Sequence, residues 1–403
     1  MDSNTRTKKE DLARPLKRSH DASSCTAEQP KRPAPPSSSL NTHHLSYKGA
    51  FPFFRLPSEV GRFSLDSERH YHGDSRKLRY YRPPPGVERG VSPGWDLMDG
   101  YEDRFVRRDE NVKEGLLHIL TWVKENQELL GESKSRPLDR DFVTWRGHLT
   151  KILCTPYENQ EGWLLAVSLF KGTLYISERE TEVARKKREE KTTMQDKLMY
   201  SGYKFESYLC AELRDGQPSP TEVVNTNEAF CSVLLARLSK HSFLVSGEVD
   251  CCDPQASNSN PPFCYVELKS SAKIRNQHQQ RSFNRYKLLK WWCQSFLIGI
   301  PLIVAGFRDS EGKVAVLQNY RTSDIPHLIR KDQHSWDPAV CMNFCDAFLS
   351  FVKNLVTRDD PRVVYLFSWE PGRDVTYSVH TDPNYFILPA WYIEAMNQGT
   401  AVD

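Results

Sequence analysis

Phe243-Leu244-Val245 running into Glu248-Val249-Asp250, and Cys264-Tyr265-Val266 running into Glu267-Leu268-Lys269, are two strand-like stretches that each end in charge. Side chains two apart on a strand share a face, so Glu248 projects with Asp250, and Glu267 with Lys269. Sixteen residues lie between Asp250 and Glu267, among them Pro254, Pro261 and Pro262. Two adjacent strands joined by that connection deliver three carboxylates and an ammonium to one place. A packing core does not explain such a gathering.

Working outward, the order of elements predicts an α/β (α+β) fold: a central mixed β-sheet flanked by helices. Helical spacing is read over 109–130, 194–213, 228–239, 281–298 and near 336–356. Strands are read at 142–145, 151–153, 163–167 and 174–176, as an antiparallel meander, and again at 302–307, 314–317, 362–368 and 375–379. Residues 1–40 are rich in Ser, Pro and basic residues and read as a disordered tail. Residues 41–397 are expected to form one catalytic domain, with order setting in at Phe51-Pro52-Phe53-Phe54 and a short disordered tail over 398–403. Lys17-Arg18 and Lys31-Arg32 have the layout of a two-part nuclear import signal. The competing reading is a solvated tail.

Composition limits the possibilities. Net charge is +3, and the eight Lys/Arg against five Asp/Glu of residues 1–40 account for all of it. The body is therefore near neutral, and any affinity for nucleic acid has to come from a local patch. The ten cysteines contain no C-x-x-C pair, which points to buried reduced thiols rather than a disulfide frame or a zinc site. No apolar run reaches the roughly 20 residues that span a bilayer. A soluble intracellular monomer without a membrane partner is expected.

The charged strand ends support a specific chemistry. Asp250 followed by Glu267-x-Lys269 is the layout of an Asp…Glu-x-Lys nuclease core. Carboxylate oxygens suit Mg²⁺ or Mn²⁺. A divalent ion polarises a phosphoryl oxygen and acidifies a bound water. Lys269 suits the charge that develops on phosphorus. The alternative is a set of strand-end charges neutralised in salt bridges. Glu206 follows Gly202 by one helical turn and adds a fourth carboxylate that can reach the same ion. On the 281–298 helix, Lys290 and Gln294 are four apart, and Gln294 offers an uncharged hydrogen bond to phosphate or water. Trp291 and Trp292 read as core. Trp145-Arg146-Gly147 places a guanidinium at a strand end, suited to a terminal phosphate, and His148 reads as structural. Asn225-Thr226-Asn227 before Phe230-Cys231 reads as a capped turn into a helix, with amides free for a nucleotide. Arg185-Lys186-Lys187-Arg188 reads as solvated, with backbone-phosphate contact as the alternative.

Trp145-Arg146-Gly147, Gly202-Tyr203-Lys204-Phe205-Glu206, Glu248-Val249-Asp250, Glu267-Leu268-Lys269 and Lys290-Trp291-Trp292-Cys293-Gln294 occur here in one order. Together this set resembles the DXO decapping exoribonuclease family, and the likeness runs from about residue 45 to 397. The resemblance implies a metal-dependent hydrolase of RNA 5′ ends. Its substrates would be RNAs with incomplete guanosine caps, NAD caps, 5′-triphosphates and 5′-monophosphates. It implies two divalent ions, Mg²⁺ or Mn²⁺, held by Glu206, Glu248, Asp250, Glu267 and the Leu268 carbonyl. Lys269, Gln294 and Glu248 would act at the scissile phosphate or its water. Arg69, Glu114, Trp145, Arg146, Gly147 and Cys231 would line the nucleotide site. NAD would be part of the substrate, not a redox cofactor. Location is expected in the nucleus, with the cytoplasm as a second compartment. The rival functions are a non-catalytic RNA-binding relative and a DNA endonuclease of the same core type.

Overall fold

The structure, a computed structural model, describes residues 38–83, 85, 92–131, 136–256, 260–330, 332 and 335–398. The two basic pairs, Cys25 and residues 399–403 lie outside the described residues. The described body begins earlier than Phe51. Leu40 bridges to Val375, and the Asn343 side-chain amide donates to the carbonyls of Tyr47 at 3.0 Å and Ala50 at 3.2 Å.

The expected central mixed sheet flanked by helices is present, and a second, smaller mixed sheet packs with it. The larger has nine strands, ordered Thr376–His380, Val364–Trp369, Trp163–Phe170, Thr173–Arg179, Phe142–Trp145, His241–Glu248, Ala229–Leu238, Phe54–Leu65 and Tyr71–His72. The smaller has six, ordered Val314–Arg321, Leu302–Arg308, Tyr265–Ala272, Cys251–Cys252, Tyr80–Tyr81 and Cys210–Ala211. Helices Arg146–Cys154, Leu289–Leu297 and Pro338–Leu355 share one core with facing residues of both sheets, among them Phe243, Val245, Ile303 and Phe307. Leu117–Glu125 and Ala390–Gln398 cover the far side of the larger sheet. Thr193–Leu209 covers the far side of the smaller one.

Five sequence readings are corrected. Residues 229–238 form a strand, not a helix. That strand pairs on both edges and is buried on both faces, so its apolar run lacks the alternation that marks a half-exposed strand. Residues 151–153 belong to the Arg146–Cys154 helix, not a strand. Three apolar residues are too short a window to separate the two periods. The meander is therefore broken: Phe142–Trp145 runs parallel to Thr173–Arg179, and only Trp163–Phe170 with Thr173–Arg179 is an antiparallel hairpin. The 281–298 helix is longer than expected. It begins at Gln277 and passes through a π-helical stretch, Phe283–Leu288, before Leu289–Leu297. The helix read over 109–130 is confined to Leu117–Glu125 and a 3₁₀ turn, Gln127–Leu129.

Candidate metal and phosphate site

The site lies where the chain passes from one sheet to the other. Glu248 is the last residue of His241–Glu248 in the larger sheet, and Asp250 stands just before Cys251–Cys252 in the smaller. Val249 between them is buried, and its N–H donates to the Phe230 carbonyl at 2.9 Å. This anchor turns Glu248 outward and Asp250 inward. Asp250 Oδ2 accepts the Leu268 N–H at 2.6 Å, which sets it against the strand bearing Glu267 and Lys269.

Glu206 arrives on the Thr193–Leu209 helix, whose start is fixed by a Thr192–Gln195 capping box. Phe205 beside it is fully buried, worth about 1.5–3 kcal/mol of apolar transfer. Its ring occupies the space that a side chain at Gly306 would fill: a Cβ there would lie 2.4 Å from Phe205. The missing side chain lets the helix close onto Leu302–Arg308, next to the Glu267 strand.

Electrostatics hold the acidic groups. Glu267 is 1% exposed; Oε2 accepts from Arg146 Nη1 at 2.9 Å and Oε1 from Lys269 Nζ at 2.5 Å. Burial alone would raise its carboxyl, but Arg146 and Lys269 outweigh burial and bring it down to about 2. Burial raises the Asp250 carboxyl well above its usual range, and the neighbouring Glu267 and Glu206 charges raise it further. Glu206 is raised mainly by burial, against the opposing Arg79 guanidinium with which it pairs. Four carboxylates thus face three cations, Arg79, Arg146 and Lys269. Among the described residues, no three His, Cys, Asp or Glu side chains stand as a ready ligand cluster. The salt-bridge alternative accordingly describes part of what the side chains do here. The donor set still fits a divalent ion in chemistry: hard oxygens, one uncompensated charge, and a carboxyl whose proton affinity is raised by its neighbours.

Arg146, which pairs with Glu267, also lines a cleft of about 670 Å³, together with Arg69, Glu114, Trp145, Gly147, Cys231, Glu248 and Gln294. Of the residues expected to contact substrate, these eight line the cleft, whereas Lys269 is not among its lining residues. Gly147 leaves its side of the cleft open, since a Cβ there would meet nothing within 4 Å. Trp145 Nε1 donates to the Gly115 carbonyl at 2.9 Å, which fixes the indole in the wall. Cys231 sits opposite Glu248 across the strand pair, and burial together with that carboxylate pushes its thiol up. Arg69 and Glu114 reach the wall joined to each other, at 2.9 and 3.1 Å, while Arg69 Nη1 also donates to the Asn227 carbonyl at 2.9 Å.

Other expectations change. The Asn225–Asn227 amides are engaged internally, since Asn225 Oδ1 accepts from Asn227 N at 3.0 Å and Nδ2 at 2.9 Å. The turn they cap leads into a strand. His148 is structural: burial holds it down at about 4, and Nδ1 lies 3.0 Å from Thr144 Oγ1. Trp291 and Trp292 are core. The described cysteines are free thiols, eight of them buried.

Sequence reasoning missed Arg79 on Glu206, Arg108 on Glu114 at 2.9 Å, and Tyr203 in the wall. Tyr203 was within reach, one turn before Glu206 on the same helix. Arg79 and Glu206 are 127 residues apart, and no spacing announces them.

A family model described as RAI1-like PD-(D/E)XK nuclease matches residues 55–393. The chain is 65% identical over 401 residues to the decapping and exoribonuclease protein of Xenopus laevis, covering 98% of this chain and 100% of that one. A crystal structure of Schizosaccharomyces pombe Rai1 in complex with 3′-FADP superposes with a TM-score of 0.67 at 28% identity, covering 84% of this chain and 98% of that one. The fold is also that of Candida albicans Rai1, solved with pU5 and Mn²⁺, at a TM-score of 0.76, 24% identity, and 90% and 99% coverage.

Proposed function

This chain belongs to the RAI1-like PD-(D/E)XK nuclease family, and from that membership and its site we propose that it hydrolyses RNA 5′ ends. It removes incomplete guanosine caps and NAD caps, releases pyrophosphate from 5′-triphosphate RNA, and degrades 5′-monophosphate RNA in the 5′-to-3′ direction. The observation that carries this reading is the mutual proximity of Glu206, Asp250 and Glu267, with Lys269 and Arg146, joined through Arg146 to a cleft that Glu248 and Gln294 also line.

Glu206, Glu248, Asp250, Glu267 and the Leu268 carbonyl would hold two divalent ions, Mg²⁺ or Mn²⁺. When bound, such ions polarise the phosphoryl oxygen and acidify water. The protein's own groups do the rest. Lys269, held on Glu267, presents positive charge where negative charge grows on phosphorus. Gln294 hydrogen-bonds the phosphate or the attacking water. Arg146 holds the substrate phosphate while keeping Glu267 ionised. Glu114 fixes Arg69 at the nucleotide wall. A single site of this kind acts on any anhydride or diester laid over it, so the depth of the 5′ end sets the product.

The protein acts as a monomer, in the nucleus with a cytoplasmic fraction. The basic pairs Lys17-Arg18 and Lys31-Arg32 support the nuclear assignment. The test is a panel of capped, NAD-capped, triphosphate and monophosphate RNAs with Mg²⁺ or Mn²⁺. Dinucleotide, pyrophosphate and mononucleotide release are expected, all lost in Glu248→Ala/Asp250→Ala. Retained hydrolysis in that variant refutes the metal site.

A further inference from the structure

Residues 268–308 contain eight Lys or Arg and no Asp or Glu, in a chain that elsewhere carries more acidic than basic residues. This acid-free run starts on the strand that carries Glu267 and Lys269, crosses the helical segment 277–297, and ends on Leu302–Arg308. The two strands are parallel with Ala272 beside Arg308, and the Lys273 N–H donates to the Arg308 carbonyl at 2.7 Å. Lys273, Arg275 and Arg308 therefore gather at the C-terminal ends of two inner strands of the smaller sheet, where the helical segment begins.

Lys269 is paired with Glu267, and Lys290 with Glu158 at 3.0 Å. The other six, Lys273, Arg275, Arg281, Arg285, Lys287 and Arg308, form no ion pair with a carboxylate among the described residues. The Glu182–Glu189 helix makes the contrast. Arg185 pairs with Glu182 and Glu189, Lys186 with Glu182, Lys187 with Glu161 and Arg188 with Glu180. Basic residues there are neutralised by their own protein; along 273–308 they are not. Lys273, Arg275, His278 and Arg281 are exposed. The surface is also continuous with the site. Ser271 shares a strand face with Lys269, and Lys287 Nζ donates to Ser271 Oγ at 2.8 Å.

We propose that this face carries the single-stranded RNA backbone on the 3′ side of the phosphodiester being cut. The proposal rests on the RNA-hydrolase reading above and adds the path of the chain. Unopposed cations beside the reacting phosphate release counterions from a polyanion. Contacts to phosphate hold the strand in register without selecting sequence, as a 5′-to-3′ exonuclease needs. The near-neutral body leaves this patch as the local source of attraction.

The experiment uses the full chain carrying Lys273→Ala, Arg275→Ala and Arg281→Ala together. It is assayed with 5′-monophosphate RNAs of about 3 and about 20 nucleotides, below and above the span of a typical single-strand site. KM for the long RNA is expected to rise at least about tenfold, with kcat unchanged and the short RNA unaffected. The slope of log KM against log salt is expected to fall by about 2, roughly 0.7 per lost phosphate contact. Lys273→Arg with Arg275→Lys and Arg281→Lys should restore wild-type values, which separates charge from folding. Equal effects on both lengths, or none on either, overturn the proposal. So does lost binding to anionic vesicles with KM for RNA unchanged. A wild-type protein that cleaves neither RNA instead refutes the hydrolase reading itself.

Discussion

Removing Arg146 should make stability depend on pH in a way the wild type does not. In the folded protein Glu267 is 1% exposed, and its carboxyl lies at about 2 against a usual 4.5. At about 1.4 kcal/mol per unit, that depression contributes roughly 3 kcal/mol once the unfolded carboxyl is ionised. The contribution is fully present above about 4.5 and is lost as pH falls toward 2. It is constant between pH ~5 and ~7.5. Arg146 is the larger of the two favourable causes, ahead of Lys269. Arg146→Met should therefore cost about 3 kcal/mol at neutral pH. Burial is then opposed by Lys269 alone, so the folded carboxyl rises. A raised carboxyl binds a proton that the unfolded chain has released, and stability falls as pH rises toward the new value. Urea unfolding with a chelator present, at pH ~5 and ~7.5, should show a larger loss for Arg146→Met at the higher pH. Glu267→Gln placed in the same background should remove that pH dependence. A loss independent of pH, or zero coupling in the double-mutant cycle, would refute the account of what Arg146 does.

Four further outcomes are expected. Lys269→Ala should lower kcat by at least about tenfold with little change in KM, since its charge matters most in the transition state; loss confined to KM in steady-state assays would contradict that. Gly306→Ala should destabilise by about 1–3 kcal/mol and reduce turnover, because the new methyl meets the Phe205 ring and displaces the helix bearing Glu206; thermal unfolding and kcat measure the two effects. Arg69→Lys should raise KM for capped RNA, because an ammonium does not reproduce the bidentate pairing with Glu114; unchanged KM would remove Arg69 from the nucleotide wall. Deleting residues 1–37 should leave hydrolysis intact and shift a fluorescently tagged protein out of the nucleus; an unchanged distribution would dismiss the import signal.

The sequence by itself determined the chemistry. Glu267-x-Lys269 and Glu206 one turn after Gly202 could be read because strand and helix periods fix which neighbours share a face; Glu248 and Asp250 were expected on one face, but the strand ends at Glu248 and the chain turns before Asp250. The same periods identified Trp291 and Trp292 as core. They misread 229–238, because a strand buried on both faces loses its alternation, and 151–153, because the segment is too short to show any period. Only the tertiary structure decided the rest. It placed the junction of two sheets between Glu248 and Asp250, and it set Arg79 against Glu206 across 127 residues. It also separated the neutralised cations of the Glu182–Glu189 helix from the unopposed ones of 273–308. Local sequence encodes the direction of a side chain, whereas its ionic partner depends on which distant segment packs against it. That difference is why the site's acids, with Lys269 and Arg146, were visible in the chain, while Arg79 and the pairing of Arg146 with Glu267 were not.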